Sequence, residues 1–356
     1  VDPSNPVLPI SHPESYAKEI QSSVGFYYTQ GMPEDTKALS NKVFTDEEFM
    51  QQSRFVMEER LRMYDFELGR FKQGLLFFYF TSLDQNSHML WHALDESHPI
   101  HEKDKASICC QYMEFLYHSM DEMLGKTLKT IDDNTTLIIM SDHGFASFRR
   151  CFQINTWLKE NGYITLHDDF KQEEYEFFGN VDWSRTKAYN LGINSVYLNL
   201  RGREQKGTVD PSQKDALLKE ISEKLLAVRD PENGEQVITK VYKTSEVYRG
   251  AYVDIAPDLV LGFNRGYRAS WETILGGFPL GIVNDNEDKW SGDHCMASDL
   301  VPGVILSNKK IEIPDPTLAD IGPTVLQEYG IEPSKEMEGR ALFDTNAAPA
   351  AIKPVV

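Results

Sequence analysis

Two apolar runs along the chain are each closed by a cluster of polar residues. Leu75-Leu76-Phe77-Phe78-Tyr79-Phe80 leads into Ser82-Leu83-Asp84-Gln85-Asn86-Ser87-His88, and Thr135-Thr136-Leu137-Ile138-Ile139 leads into Met140-Ser141-Asp142-His143-Gly144. Unbroken apolar runs of this length predict strands buried on both faces. Helical periodicity surrounds them. A short helix is expected over 15–22. Thr45 and Glu48 form a capping box ahead of a helix reaching about Phe71. Its stripe is Phe49, Phe55, Val56, Leu61, Met63, Tyr64 and Leu68. Ile108, Tyr112, Phe115, Leu116, Met120, Met123 and Leu124 mark a second helix over about 105–130. Buried strands separated by helices predict βαβ winding, and hence an α/β fold: a mostly parallel sheet flanked by helices on both faces.

Beyond Phe148 the segments become shorter and more polar. Residues 192–200 alternate like a half-exposed strand, 211–228 read as an amphipathic helix and 237–242 as a strand. Residues 256–262 return to a buried strand, 263–296 read as one long Gly-rich loop, 301–306 as a late strand and 318–329 as a helix. This pattern predicts a single domain over 1–345 that carries 148–255 as a small inserted cap region. Residues 346–356, rich in Ala and Pro, are expected to be a loose tail.

Charge narrows the partners. The 356 residues carry a net charge of -19, which argues against a nucleic-acid-binding surface and against attraction to anionic membranes. No apolar run approaches the roughly 20 residues of a membrane span. The four cysteines, Cys109, Cys110, Cys151 and Cys295, form no CxxC pair and read as free thiols rather than a disulfide framework. The chain begins with Val1 and shows no signal peptide. Compartment and oligomeric state stay open.

The polar residues that close the strands change the picture most. In an open parallel sheet, ligands bind at the carboxyl ends of strands. Asp142 and His143 place a carboxylate and an imidazole side by side there, a ready pair for a divalent metal. Asp84 and His88 are four residues apart and share one face if a helix begins at Asp84. His294 sits in a loop after Gly292. These five ligands are too many for one tetrahedral zinc and point to two metals. His92, His98 and His101 are weaker competitors, Cys295 is a weaker ligand than its neighbour His294, and Asp285 and Asp288 read as solvated loop acids.

Asp84-x-x-x-His88, Ser141-Asp142-His143-Gly144 and Gly292-Asp293-His294 resemble, in this order, three metal-binding motifs of the alkaline phosphatase superfamily, in particular its type I phosphodiesterase/nucleotide pyrophosphatase branch. Residues 192–203, 256–259, 320–325 and 337–340 are similar to the same branch, so the resemblance spans roughly 75–345. It implies an alkaline phosphatase-like fold and two divalent metal ions, zinc foremost. Asp84, His88 and His294 would hold one ion, and Asp142 and His143 the other. It implies a hydrolase of phosphodiester or nucleotide pyrophosphate bonds that acts on small phosphate esters or nucleotides through a phospho-enzyme. A phosphomonoesterase, phosphonate hydrolase or sulfatase on the same scaffold is the alternative, as is an inactive metal-binding fragment. The family's Thr or Ser nucleophile sits at a helix N-terminus after the first strand. Within 1–83, Asp35-Thr36 and Thr45-Asp46 follow no buried strand, and Thr81 and Ser82 are expected to have no helix N-terminus behind them. The nucleophile is therefore expected upstream of this chain, together with the first strands of the domain.

Overall fold

The structure, a computed structural model, describes residues 2–344; the tail expected at 346–356 lies outside them. The fold is mixed α/β. In chain order the helices are α1 (Ser15–Val24), α2 (Thr36–Ser40), α3 (Asp46–Arg70), α4 (Ser82–Leu94), α5 (Lys103–Thr130), α6 (Ile154–Glu160), α7 (Lys214–Leu226), α8 (Thr244–Val247), α9 (Trp271–Ile274) and α10 (Ile321–Glu328). The strands are β1 (Ile138–Met140), β2 (Ala146–Phe152), β3 (Ala188–Asn190), β4 (Ser195–Leu198), β5 (Ile238–Lys243), β6 (Leu259–Phe263), β7 (Gly266–Ala269), β8 (Val283–Asp285), β9 (Gly292–Asp293) and β10 (Ile305–Ser307). The chain divides into two compact units. The first comprises residues up to Asn86, Cys109–Gly144 and those from Pro302 onward; the second comprises Ser87–Ile108 and Phe145–Val301.

In the first unit, α3 begins with the expected capping box. Thr45 Oγ1 accepts from Glu48 N at 3.2 Å, and Glu48 Oε2 accepts from Thr45 N at 2.8 Å. Phe49, Val56, Tyr64 and Leu68 are buried, while Phe55 of the expected stripe is exposed. Tyr64 then decides the conformation of 75–80. Its ring packs edge-on against Phe78, 5.2 Å between centroids, and tilts against Phe80 at 5.8 Å. Leu75, Phe77 and Tyr79 alternate outward and are exposed. The doubly buried strand expected here is thus an extended segment with one covered face and no ladder partner among the described residues. β1 is shorter than expected and only partly buried, and it pairs antiparallel with β10, Ile138 opposite Ser307.

The second unit is built on β2, whose side chains alternate between buried (Ala146, Phe148, Arg150, Phe152) and half-buried. β2 pairs with β7, β8 and β9. The long loop expected over 263–296 therefore supplies three strands and a helical turn. A second sheet runs β3-β4-β6-β5, antiparallel throughout. Leu218, Ile221 and Leu225 of α7 join Val196, Leu198, Leu259, Leu261 and Phe263 in one core.

Between the named strands β2–β7 is the one parallel pairing, so the mostly parallel sheet expected from the sequence is not what these strands form. The connections explain the difference. Parallel neighbours need crossovers of a dozen or more residues. β3 and β4 instead pair antiparallel across the short 191–194 link, and 75–80 makes no ladder among the described residues that a crossover could serve.

The Ala-Pro-Asp-Leu stretch has a structural task in this unit. Asp258 is buried and takes hydrogen bonds from Arg203 Nη2 at 2.6 Å and from Leu198 N at 2.8 Å, with Lys214 Nζ at 2.7 Å. Burial alone would push its pKa up. The bonds from Arg203, Lys214 and Leu198, with the Arg203 charge, outweigh that and hold it below the usual carboxylate range. A depressed folded-state pKa gives stability that is present above the unfolded value of about 4 and is lost as pH falls through the folded value. Asp258→Ala is expected to cost about 1–3 kcal/mol, because it leaves the buried Leu198 N–H and one side of Arg203 without their acceptor, while Glu204 still pairs with Arg203 Nε at 2.7 Å. Urea titrations should show this at pH 7, with a smaller difference from the parent at acid pH.

Candidate metal centre

α4 opens two residues earlier than the Asp84 start considered from the sequence, which corrects the reading of Thr81 and Ser82: both do stand at a helix N-terminus. Their hydroxyls are not free. Ser82 Oγ donates to Glu34 Oε1 at 2.7 Å, Thr81 Oγ1 lies 3.5 Å from Glu34 Oε2, and all three residues are buried. Asp84 occupies the first turn of α4, where a carboxylate complements the helix dipole. His88 follows one turn later on the same face.

In the first unit Asp84 meets the segment that leaves β1. His143 Nε2 lies 3.8 Å from Asp84 Oδ1 and 3.5 Å from Asp142 Oδ2. The Asp84 and His143 side chains are 18% and 21% exposed, that of Asp142 60%. β10 holds the segment in place. Ser141 N donates to Val304 O at 3.0 Å, and Val304 N donates to Ser141 Oγ at 3.0 Å. Gly303 permits the approach, since a Cβ there would lie 2.4 Å from Ser141 O. The pocket is strongly anionic: burial first, then the charges of Asp84 and Asp142, raise the Tyr79 hydroxyl above its ordinary pKa.

The second unit holds His88 and His294. His88 is buried, and its Nδ1 lies 2.7 Å from Gly292 O. With the proton on Nδ1, that bond fixes the ring, the usual way a ligating histidine is oriented. Trp290 stacks on the His88 ring at 3.8 Å and 25°, and Phe145 meets it edge-on at 4.8 Å. The His294 ring is 5.1 Å from that of His88 and 5.4 Å from Phe145. The 291–295 segment is pinned to α4: Ser291 N donates to His88 O at 2.7 Å, and His92 N donates to Ser291 Oγ at 3.0 Å.

Other groups near these histidines are engaged elsewhere. Asp293, His294 and Cys295 lie close enough to share an ion, but Asp293 Oδ1 accepts from His294 N and Cys295 N, each at 2.8 Å, and Oδ2 accepts from Trp290 Nε1 at 2.8 Å. Burial, and then the Asp293 charge, push the Cys295 thiol up to about 12. His98 Nε2 lies 2.8 Å from Phe148 O, and His101 Nδ1 lies 2.8 Å from His92 O. Asp285, expected to be solvated, is an ion-pair partner of buried Arg150. Asp288 is exposed, as expected of a loop acid, although desolvation, and then Glu272 and Glu287, push its carboxyl up. A cavity of about 600 Å³ in the same unit is bounded by Trp91, Phe145, Arg149, Asn264 and Arg265; neither imidazole lines it, and Phe145 alone contacts both rings and its wall.

Imidazole and carboxylate donors at strand and helix ends suit zinc and similar divalent ions. Over residues 4–274 the sequence matches the family model of type I phosphodiesterase/nucleotide pyrophosphatase. The chain belongs to this family. The family lies within the alkaline phosphatase superfamily, and its members are metal-dependent hydrolases of phosphate esters. The match begins earlier than residue 75, where the resemblance was expected to start. It includes Asp84, His88, Asp142 and His143 and stops short of His294, whose place beside His88 rests on geometry. No curated protein matches the chain. Sequence reasoning missed Trp290 and Arg268. An aromatic residue directly before Ser291-Gly292 was the one available signal for Trp290; Arg268 lay inside a supposed loop and gave none.

Proposed function

We propose that this protein hydrolyses phosphodiester or nucleotide pyrophosphate bonds with two zinc ions, one taken by Asp84, His88 and His294 and the other by Asp142 and His143. When bound, the ions would supply Lewis-acid neutralisation of the phosphoryl oxygens. The chain's own residues hold the donors ready: Gly292 O orients His88, Trp290 covers its face, and β10 fixes the segment that presents Asp142 and His143. The observation that carries the reading is the ring of His88, buried and oriented through Nδ1 in a chain of this family, with a second imidazole 5.1 Å away. Within the described part of 1–83, Thr45 is spent on a helix cap and Thr81 and Ser82 on Glu34.

Calorimetric titration with Zn2+ tests the assignment. Two binding phases are expected, the weaker at the two-ligand site. Asp142→Ala should remove the weaker phase and keep the tighter one. A weaker phase that persists in Asp142→Ala, or a parent protein that binds no zinc, would overturn the ligand set.

A further inference from the structure

His88 and His294 are both supported by one buried group that belongs to neither ligand set. Asp293 is 1% exposed and faces Arg268, also 1% exposed, with Nε 2.9 Å from Oδ2. The Arg268 guanidinium lies 4.1 Å over the Trp271 ring and 5.3 Å over Phe148, so it is walled by aromatic faces. Each oxygen of the Asp293 carboxylate has a separate task. Oδ1 gathers the amides of His294 and Cys295, which shapes the turn that carries His294. Oδ2 takes the Trp290 indole N–H, and the indole plane lies on the face of His88. Trp271 meets Trp290 edge-on at 5.8 Å and closes the assembly.

A buried ion pair is poor evidence of stabilisation, since apolar residues of the same volume commonly serve as well. What sets this pair apart is where its contacts end: one arm on the backbone of His294, the other on the ring of His88. We infer that Arg268, Asp293 and Trp290 are positioning residues that hold the two imidazoles in register for a divalent cation. The inference rests on the metal reading above. It adds that ligand geometry is set by a charge and an indole that never touch the ion.

The test uses Co2+ as the probe, read by titration and by its visible absorption, on the full chain. Partners that orient metal-bound histidines typically contribute about 10- to 100-fold in affinity. Asp293→Asn keeps the size of the side chain and removes its charge. Trp290→Leu removes the plane over His88 and leaves the ion pair intact. Each is expected to weaken Co2+ binding 10- to 100-fold and to alter the visible spectrum. The melting temperature of metal-free Trp290→Leu should stay close to the parent's. Trp290→Phe keeps the stack and should retain affinity within about threefold. If Asp293→Asn does not fold, the Trp290 pair decides. A folded Trp290→Leu protein with parental affinity and spectrum would overturn the inference. The metal reading would survive that result provided that His294→Ala loses the binding. A parent protein that binds no Co2+ would remove both.

Discussion

Replacing His88 with alanine is expected to lower metal-dependent phosphodiester hydrolysis by about a thousandfold or more. The metal's contribution to transition-state charge is several kcal/mol, and each 1.36 kcal/mol is a factor of ten. The neighbouring groups are poor substitutes among the described residues: Asp293 has both oxygens committed, His98 Nε2 lies against Phe148 O, and burial pushes the Cys295 thiol up. The substitution also removes a buried ring from beneath Trp290, so some destabilisation will accompany it. The two effects separate in a metal-free melt and a zinc titration of the same sample. Loss of zinc affinity in a protein that still melts cooperatively assigns the effect to ligation. A folded His88→Ala enzyme whose zinc-dependent rate on bis(4-nitrophenyl) phosphate stays within tenfold of the parent's would remove His88 from the site.

The second large effect comes from a residue with no side chain. A Cβ on Gly292 would lie 2.3 Å from Ser87 O and 2.8 Å from Trp91 Cβ. Both atoms belong to α4, and the closer one is backbone, so the loop must move instead. That movement stretches the bonds from Gly292 O to His88 and from Ser291 N to His88 O, which align the loop with the helix. Gly292→Ala is therefore expected to destabilise by about 1–3 kcal/mol, as overpacking commonly does. It should also weaken zinc binding at least tenfold, comparable to losing an orienting partner of a ligand. Gly125→Ala is the control. Gly125 lies in α5 with open space where a Cβ would go, and alanine there should stabilise by up to about 1 kcal/mol. Chemical denaturation beside a zinc titration distinguishes the two outcomes. Parental zinc affinity in Gly292→Ala would mean that the approach of the loop to α4 is not what sets His88.

Legibility in the sequence followed the range of the physics involved. The capping box at Thr45, the helices around it and the helical spacing of Asp84 and His88 depend on neighbours three or four residues away, and they stand as read. The amphipathic helix at 211–228 and the alternating strand at 195–198 are local in the same sense. The run 75–80 shows the limit. Its composition reads as a doubly buried strand, yet whether the second face is covered depends on packing, and Tyr64 covers just one. Polar β2 and the Gly-rich 263–296 stretch failed in the other direction. Their strands are defined by ladder partners more than a hundred residues apart in places, which no local pattern encodes.

The sequence alone determined which side chains are candidate metal donors, and on which strand and helix ends they stand, because motif spacing and helix periodicity are properties of short segments. Tertiary structure decided which of the polar groups around them are engaged elsewhere. It spent Thr81 and Ser82 on Glu34, Asp285 on Arg150 and Asp293 on Arg268 and Trp290, and it left His88 oriented through Nδ1. Buried polar atoms take partners from wherever the fold brings them, and that choice is made across the chain rather than along it.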